Sequence, residues 1–250
     1  MPVPPSLSVI VPVRNEAGNI APLIAEIHAA LRPVLKDGYE IIYVDDGSND
    51  GTAAELTAIA AADPVLRVFG HRRSCGQSQA TITGVLAARG VWIATMDGDG
   101  QNDPADLISL LAARDGAGDE ARVLFIGRRR ARHDGLARVI ASRIANAVRR
   151  TLLGDGVADS GSGLKLLQRE LFLALPRFNA LHRFTPALVR RAGGRVVSVP
   201  IGHRPRLRGT SKYGIVGRGL IGVADLLGVF WLIRRHTQPV LDRTDERTKP

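Results

Sequence analysis

Short apolar runs alternate with helical periodicity along the first half of the chain. The apolar runs predict β-strands at residues 7–13, 39–44, 65–69, 91–96 and 123–126. Helical spacing and helix-start signals predict helices at residues 18–31, 51–62 and 78–88, and another after residues 103–104. Strands that alternate with helices of about 10 to 15 residues are typical of βαβ units. We therefore expect an α/β fold, with a mostly parallel central sheet flanked by helices.

The second half has a weaker pattern and more Arg residues. An amphipathic helical pattern covers residues 136–153, alternation covers 164–175, and residues 195–199 predict one more strand. Residues 220–233 carry a single charge and are too short for a membrane-spanning helix, which needs about 20 apolar residues. They predict either a buried core helix or a helix in a membrane interface.

From this pattern we predict one domain with C-terminal amphipathic helices. The domain is expected at residues 1–235. Residues 6–120 would form its nucleotide-sugar half and residues 121–235 its acceptor half, with an interfacial helix segment near residues 219–233. Residues 236–250 would form a polar tail after the domain. The sequence contains no internal repeat and no interdomain linker.

Charge is divided unevenly between the two halves, within a net charge of +10. Residues 1–121 hold eight Lys or Arg against sixteen Asp or Glu, whereas residues 122–250 hold twenty-six against eight. Such asymmetry predicts a basic surface that meets nucleic acid, acidic lipid or a phosphorylated substrate. A bias towards Arg is the alternative, but it would not concentrate the acids in one half.

The cysteine content and the first residues bear on the compartment. With Cys75 as its only cysteine, the chain cannot form an internal disulfide, which fits a reducing compartment. Its start has no basic region or hydrophobic segment of a secretory signal. We expect a cytoplasmic protein, peripheral on the inner face of the membrane, that contacts an anionic membrane surface. Whether a membrane-protein partner recruits it stays open.

Three side chains with oxygen atoms follow the fourth predicted strand at alternate positions, Asp97, Asp99 and Gln101. Open α/β sheets bind ligands at the carboxyl ends of their strands. Carboxylate and carbonyl oxygens are the ligands that Mg2+ or Mn2+ prefers. A calcium loop would need Gly and Glu where this chain has Asn102 and Ile108. The pattern therefore excludes a calcium loop but leaves open a Mg2+ or Mn2+ site or a solvated turn, and the acids after the first two strands then favour the metal site.

Acidic side chains also follow the first two strands. Asp46 comes at the tip of the second strand, where a carboxylate can accept hydrogen bonds from a base or a ribose, and Glu16 follows the first strand. Ser48 and Asp50 fit helix caps instead. The first loop lacks G-x-G-x-x-G and the chain lacks a P-loop lysine motif, so neither of those phosphate sites is expected.

The motifs V-I-V-P-V-R-N-E, Y-V-D-D-G-S-N-D-G-T and M-D-G-D-G-Q-N-D-P together resemble family 2 glycosyltransferases with the GT-A fold. The resemblance covers residues 6–235 and is strongest to transferases that act on dolichol or polyprenyl phosphate, such as the dolichol-phosphate mannosyltransferases. It implies a GT-A-type nucleotide-binding domain. Gly98 and Gly100 stand where the family commonly has Ala and Leu, which predicts a looser turn with the same ligands.

The resemblance also implies roles for residues at matching positions. Nucleotide-sugar contacts are implied for a set at the strand tips: Pro12, Arg14, Glu16, Val44, Asp46, Asp97, Gly98 and Asp99. The implied metal ligands are Asp97, Asp99 and Gln101. The implied catalytic residues are Asp99, Arg128, Arg206 and Lys212. The implied acceptor-phosphate residues are Arg128 and a second arginine, Arg138 or Arg143.

The implied reaction is an inverting, metal-dependent transfer of a sugar from GDP-mannose or a UDP-hexose to a polyprenyl or dolichyl phosphate. A phosphate monoester is already largely ionised at neutral pH, with a second pKa of about 6. Such a nucleophile needs no general base, only cations that hold two anions together. A sugar hydroxyl is the alternative acceptor, and Asp159 or a nearby acid would then serve as the base.

Two other classes of protein match the sequence less well. A non-catalytic basic module that binds nucleotides or nucleic acid would need aromatic side chains to stack on bases, but aromatics make up only 4% of this chain. We therefore expect no nucleic-acid partner. A sugar nucleotidyltransferase would need a Gly-rich loop with Arg or Lys after the first strand, and residues 12–16 do not provide one.

Overall fold

The computed structural model describes residues 4–118, 122–129, 146–202, 204 and 215–235, with side chains from residue 222 onward in the last range. Four residues with predicted roles lie outside these ranges, as does the predicted tail at 236–250: Arg138, Arg143, Arg206 and Lys212. Their roles stay predictions.

Seven strands form one mixed sheet in the described part of the chain. They are β1 Leu7–Val13, β2 Tyr39–Asp45, β3 Leu66–Gly70, β4 Trp92–Thr95, β5 Val123–Arg129, β6 Lys165–Gln168 and β7 Arg195–Ile201. Their order is β3-β2-β1-β4-β6-β5-β7. Strand β6 is antiparallel to β4 and β5, and every other pair is parallel. The prediction of a mostly parallel sheet is confirmed.

The helices flank this sheet on both faces. They are α1 Ile20–Leu35, α2 Thr52–Ala60, α3 Gln77–Ala87, α4 Asp106–Asp115, α5 with its described part at 146–153, α6 Arg169–Leu173, α7 Leu181–Arg191 and α8 Ile215–Arg234. The first four lie where the sequence predicts helices. The alternating stretch at 164–175 divides into β6 and α6, and the sequence analysis missed α7.

Alternation along the central strands builds a core on each face of the sheet. In β1, Val9 and Val11 pack towards α1, α2 and α4, whereas Ile10 packs towards α3, α6 and α7. Strands β1 and β2 are almost wholly buried, as parallel strands covered on both faces must be. Each fully buried side chain of this kind contributes about 1.5–3 kcal/mol relative to exposure, so the core fixes the strand tips firmly.

Helix α8 is only partly buried. Val229 is buried and lies in the core beside α7, but Val223, Leu227 and Trp231 are 55%, 57% and 59% exposed. The interpretation of this segment as a buried core helix is therefore wrong for its outer side. None of the helices in the described part of the chain has the length and apolar character that a bilayer crossing requires.

The carboxyl ends of β1, β2 and β4 meet at one edge of the sheet. Pro12 of β1 pairs with Val44 of β2, and Ile10 pairs with Thr95 of β4. Asp97, two residues beyond Thr95, therefore reaches the edge at about the level of Pro12. Because β4 also pairs with β6, the same sheet joins the two predicted halves of the domain.

Candidate functional site

Hydrogen bonds join the loops after β1 and β2 into one unit. The backbone N–H of Asn15 donates to Ser48 Oγ at 2.8 Å, and the backbone N–H of Glu16 donates to Thr52 Oγ1 at 2.9 Å. Asn15 and Asn49 exchange two further hydrogen bonds through the Asn15 side chain. Asn15 has φ of 52°, a left-handed conformation that Asn adopts more readily than most residues. These contacts place Glu16 at the rim of the edge.

Asp46 is buried and holds the segment after β3. Its carboxylate accepts hydrogen bonds from the Ser74 hydroxyl at 2.7 Å, from the backbone N–H groups of Cys75 and Gly76 at 2.8 Å, and is 2.7 Å from His71 Nδ1. Burial acts to raise the pKa of Asp46, but these hydrogen bonds outweigh it and lower the pKa. The ligand atoms of Asp46, His71 and Cys75 lie within 4.8 Å of one another, and this network accounts for their proximity.

The other residues predicted to bind the nucleotide have different environments. Pro12 lines the cavity described below, and Arg14 is exposed at the rim. Val44 is fully buried, backbone included, so it is not open to direct contact with a ligand in this structure. Glu16 accepts a hydrogen bond from the side chain of Asn19 at 2.8 Å. The structure brings these residues to one edge, and their contacts with a nucleotide stay predictions.

Asp97, which follows β4, has a carboxylate that is destabilised by burial and by the nearby negative charge of Asp99. Its Oδ1 accepts a hydrogen bond from Gln77 Nε2 at 2.7 Å. Burial, followed by the charge of Asp99, raises the pKa of Asp97 to about 6, while the positive charges of Lys165 and Arg129 act in the opposite direction. A cation shared by the two carboxylates would relieve this repulsion, which is the electrostatic situation of a metal ligand.

The loop of Asp99 and Gln101 keeps oxygen-bearing side chains at the same edge. Asp99 Oδ1 accepts the backbone N–H of Gln101 at 3.1 Å, and Asn102 Oδ1 accepts the backbone N–H of Asp97 at 3.2 Å. Asp99 and Gln101 are both half-buried. Two carboxylates and an amide oxygen match the donor set that Mg2+ or Mn2+ prefers, so the residues present fit the predicted metal.

The glycines of this loop correct one expectation. Gly98 is not loosely placed, because a Cβ there would lie 2.3 Å from Val13 Cγ1 on β1. Gly100 has φ of 75°, which disfavours a residue such as Leu at that position. The turn of this chain is therefore tight, and it could not take Ala at position 98 or Leu at position 100 without movement of Val13 and the backbone.

A cavity of about 210 Å3 opens beside Asp97 and lies between α3, β6 and α7. Small pockets of this kind suit a ligand well below the drug-sized molecules that occupy about 300–1,000 Å3. Its lining residues come from both halves of the chain: Pro12, Gln77, Ser78, Thr81, Thr95, Met96, Asp97, Gly161, Ser162, Gly163, Lys165, Leu167, Phe172, Leu181, His182, Arg183 and Thr185.

Lys165 is a charged residue of the cavity wall to which the sequence analysis assigned no role. It is 4% exposed, and its ammonium donates to the carbonyl of Ser162. Burial lowers the pKa of Lys165 to about 8, and the charges of Asp97 and Asp159 act against that change. The signal that could have found it is a lysine at the start of a short strand beside two leucines, since a buried lysine is rarely without a function or a partner.

His182 on α7 is a second residue that sequence reasoning missed. Its Nδ1 lies 2.7 Å from Ser78 Oγ, and its backbone N–H donates to the same oxygen at 3.2 Å. Burial, followed by the charges of Lys165 and Arg183, lowers the pKa of His182 to about 3. The ring is therefore neutral at ordinary pH and joins α3 to α7 across the cavity.

Two neighbouring arginines at the end of β5 differ in environment. Arg128, predicted to bind the acceptor phosphate, is exposed and falls on the same face of the sheet as Ile126, which pairs with Lys165. Arg129 instead makes a two-pronged ion pair with Asp159, at 2.6 and 2.9 Å. Asp159 was the predicted base for a hydroxyl acceptor, and the structure commits its carboxylate to Arg129.

Arg204 joins the end of β7 to the loop of the predicted metal ligands. Its backbone N–H donates to the carbonyl of Gln101 at 3.0 Å. Its guanidinium is 2.6 Å from carboxylate oxygens of both Glu26 and Asp103. The predicted acceptor half is therefore joined directly to the loop that follows Asp99.

Structural comparison finds the same fold in two enzymes of known structure. A mannosyltransferase from Pyrobaculum calidifontis, solved with GDP-Man and Mn2+, matches with a TM-score of 0.65 and 23% identity over 95% of this chain and 66% of its own. Glucosyl-3-phosphoglycerate synthase from Mycobacterium tuberculosis, solved with Mn2+, UDP-Glc and phosphoglyceric acid, matches with a TM-score of 0.65 and 22% identity over 96% of this chain and 88% of its own. These likenesses confirm the GT-A fold.

Sequence comparison finds closer relatives. Dodecaprenyl-phosphate galacturonate synthase of Rhizobium johnstonii is 34% identical over 93% of this chain and 69% of its own length. Undecaprenyl-phosphate 4-deoxy-4-formamido-L-arabinose transferase of Pectobacterium atrosepticum is 34% identical over 84% of this chain, which spans only 63% of that relative. The family model described as glycosyl transferase family 2 matches residues 8–175. The chain therefore belongs to glycosyl transferase family 2.

Proposed function

We propose that this chain transfers a sugar from a nucleotide-diphosphate sugar to a polyprenyl phosphate, with inversion and with Mg2+ or Mn2+ as cofactor. The observation that carries the proposal is the acidic pair Asp97 and Asp99 on the edge where the strand tips converge, with Asp97 in the wall of a small cavity. The two curated relatives are named for polyprenyl-phosphate acceptors, and both solved neighbours were crystallised with a nucleotide sugar and Mn2+.

The donor falls within the range of GDP-mannose and the UDP-hexoses. The curated relatives are named for galacturonate and 4-deoxy-4-formamido-L-arabinose, so they lend no support to a preference for mannose of the kind found in dolichol-phosphate mannosyltransferases. The fold neighbours, at 23% and 22% identity, differ between GDP and UDP donors and do not select one.

In the proposed reaction a phosphate oxygen of the lipid attacks the anomeric carbon on the side opposite the nucleotide. The bond from that carbon to the diphosphate breaks, and its electron pair leaves with the diphosphate. A divalent cation held by Asp97, Asp99 and Gln101 would offset the charge on the leaving diphosphate. In this proposal Arg128 holds the acceptor phosphate, whose oxygen is already ionised and needs no base.

The environment of Asp159 counts against the alternative of a hydroxyl acceptor. A hydroxyl must lose a proton during attack, so it needs a base that can accept that proton. Asp159 is 8% exposed and is engaged through both oxygens by Arg129. Such a carboxylate is poorly available as a base.

The test is to incubate the purified protein with Mn2+, GDP- and UDP-sugars and a short polyprenyl phosphate, and to detect lipid-linked sugar by mass spectrometry. We expect a product whose anomeric configuration is inverted. Asp99→Asn, which removes one charge with little change in size, should lower turnover by about a hundredfold or more. Donor binding without any lipid product would refute the acceptor, and full activity of Asp99→Asn would refute the metal assignment.

We further propose that α8 rests on an anionic membrane surface on the cytoplasmic side. Val223, Leu227 and Trp231 recur every four residues, so they form one exposed apolar stripe on the helix. Arg234 and Arg235 follow directly, and each lies over an aromatic ring of the same helix. Apolar side chains beside arginines are the composition of helices that lie in a membrane interface.

Trp231 also provides the means to test this orientation. In a Trp92→Phe background Trp231 is the only tryptophan, and its fluorescence should shift to shorter wavelength with phosphatidylglycerol vesicles but little with phosphatidylcholine vesicles. Leu227→Ser should weaken co-sedimentation with the anionic vesicles. An unchanged emission spectrum with both kinds of vesicle would refute the orientation.

A further inference from the structure

Lys165 presents a buried cation to the cavity. An ammonium group has three N–H donors, and among the described residues the structure gives it one acceptor, the carbonyl of Ser162. Ser162 lines the same cavity, and its buried hydroxyl has no hydrogen-bond partner in the described part of the chain. Buried polar groups are nearly always paired in folded proteins, so donors left over at a cavity indicate a ligand.

The nearby acids do not neutralise this cation on their own. Asp97 and Asp159 are the two acids whose charges act on Lys165. Asp159 already pairs with Arg129 through both oxygens, and the proposed function assigns Asp97 to the metal. Arg183 adds another positive charge to the cavity wall. The cavity therefore favours an anion over a neutral group.

The position of the cavity identifies the part of the substrate that enters it. The diphosphate of a donor belongs at Asp97 and Asp99, and the group bonded to it is the sugar. A volume of about 210 Å3 is too small for a nucleotide together with its sugar. We propose that the cavity holds the donor sugar and that Lys165 binds a carboxylate on it, so that the donor is a nucleotide-linked hexuronic acid. This inference rests on the proposed function.

A lipid phosphate is the other oxyanion that Lys165 could serve, but its approach is less direct. The phosphate of a polyprenyl lipid carries a long hydrocarbon chain and must enter from the membrane side. Lys165 is 4% exposed, whereas Arg128 on the same face of the sheet is exposed and open to such a ligand. The sugar carboxylate is therefore assigned to Lys165, and the experiment separates the two sources.

Binding without lipid gives the first measurement. Calorimetric titration with Mn2+ present should compare UDP-galacturonate and UDP-glucuronate with UDP-galactose and UDP-glucose. We expect the native chain to bind the better uronate about tenfold to a hundredfold more tightly than its neutral counterpart. Lys165→Met, similar in length but uncharged, should lose that preference and keep its affinity for the neutral sugars. Lys36→Met, at the exposed end of α1, is the matched control.

Transfer to a short polyprenyl phosphate gives the second measurement. Lys165→Gln serves as a second variant if Lys165→Met does not fold, as judged by its circular dichroism and melting temperature. Equal loss of binding for charged and neutral donors, or a higher KM for the lipid with donor binding unchanged, would overturn the assignment to a sugar carboxylate. Uronate binding that depends on Lys165, without transfer to the lipid, would support this inference and refute the proposed acceptor.

Discussion

Gly163 lies directly against the carboxylate of Asp97. A Cβ added to Gly163 would lie 2.2 Å from Asp97 Oδ2 and 2.3 Å from its carboxyl carbon. The carbonyl of Gly163 accepts a hydrogen bond from Thr95 Oγ1 at 2.7 Å, so the backbone there is held on β4 and cannot easily withdraw. The Asp97 carboxylate therefore occupies the space that a side chain at position 163 would need.

Gly163→Ala should push the Asp97 carboxylate out of place while leaving most of the fold intact. We expect the affinity for Mn2+ to fall by about tenfold or more, because ligand position decides metal binding. Electron paramagnetic resonance of Mn2+ measures this directly. Gly161→Ala is the control, since its Cβ would approach nothing closer than 3.7 Å. Equal Mn2+ affinities for the two variants would contradict the expectation.

Val13 and Gly98 should behave as a coupled pair. Gly98→Ala brings a methyl group 2.3 Å from Val13 Cγ1 and should cost about 1–3 kcal/mol of stability through overpacking. Val13→Ala removes the clashing atom, so the double variant should be more stable than the two single costs predict. Urea unfolding of the four proteins gives the coupling energy. Strictly additive costs would show that the two residues do not constrain each other.

Binding of Mn2+ should weaken as the pH falls through about 6. Burial and Asp99 raise the pKa of Asp97 to about 6, so below that pH most molecules carry a proton that the metal must displace. We expect about tenfold weaker binding for each pH unit below 6 and little change above 7. Asp97→Asn has no proton to exchange and should lose this dependence. A constant affinity between pH 5 and pH 7 in the native protein would be inconsistent with the environment of Asp97.

Arg204 should affect the metal loop more than overall stability. Its ion pairs with Glu26 and Asp103 are well exposed, and such pairs contribute about 0–1 kcal/mol. Arg204→Met should therefore change the melting temperature little. It should lower turnover by roughly threefold to tenfold, because the loop after Asp99 loses a support. Arg114→Met removes a pair with Asp115 and a contact with the Trp92 ring, both away from the loop after Asp99, and should leave turnover unchanged. Similar losses in both variants would indicate a general effect of lost charge.

The strands of the first half could be predicted because their apolar runs are long and buried on both faces. The sequence analysis gives β1 its observed limits and the first four helices to within a few residues. Helix α7 was missed because it begins beside His182 and Arg183 and contains Pro186, which together are typical of a loop. Its packing against β5, β7, α3 and α8 supports it as a helix.

The predicted metal ligands could be read from the sequence because they follow one strand in order. The cavity could not be predicted, because Lys165 and Asp97 are far apart in the chain and meet only through the pairing of β4 with β6. The hydrogen bonds of Asp46 could not be predicted either, because they depend on the path of residues 71–76 around its carboxylate.

The reversed direction of β6 has a consequence for how donor preference can change. Loops that precede parallel strands lie at the far edge of the sheet, but the loop before an antiparallel strand arrives at the carboxyl edge. Residues 161–165 therefore reach the proposed sugar cavity as one contiguous stretch, separate from the loops after β1 and β2. Exchange of this short segment between related chains would change which donor sugar is accepted, while the loops predicted to bind the nucleotide would stay the same.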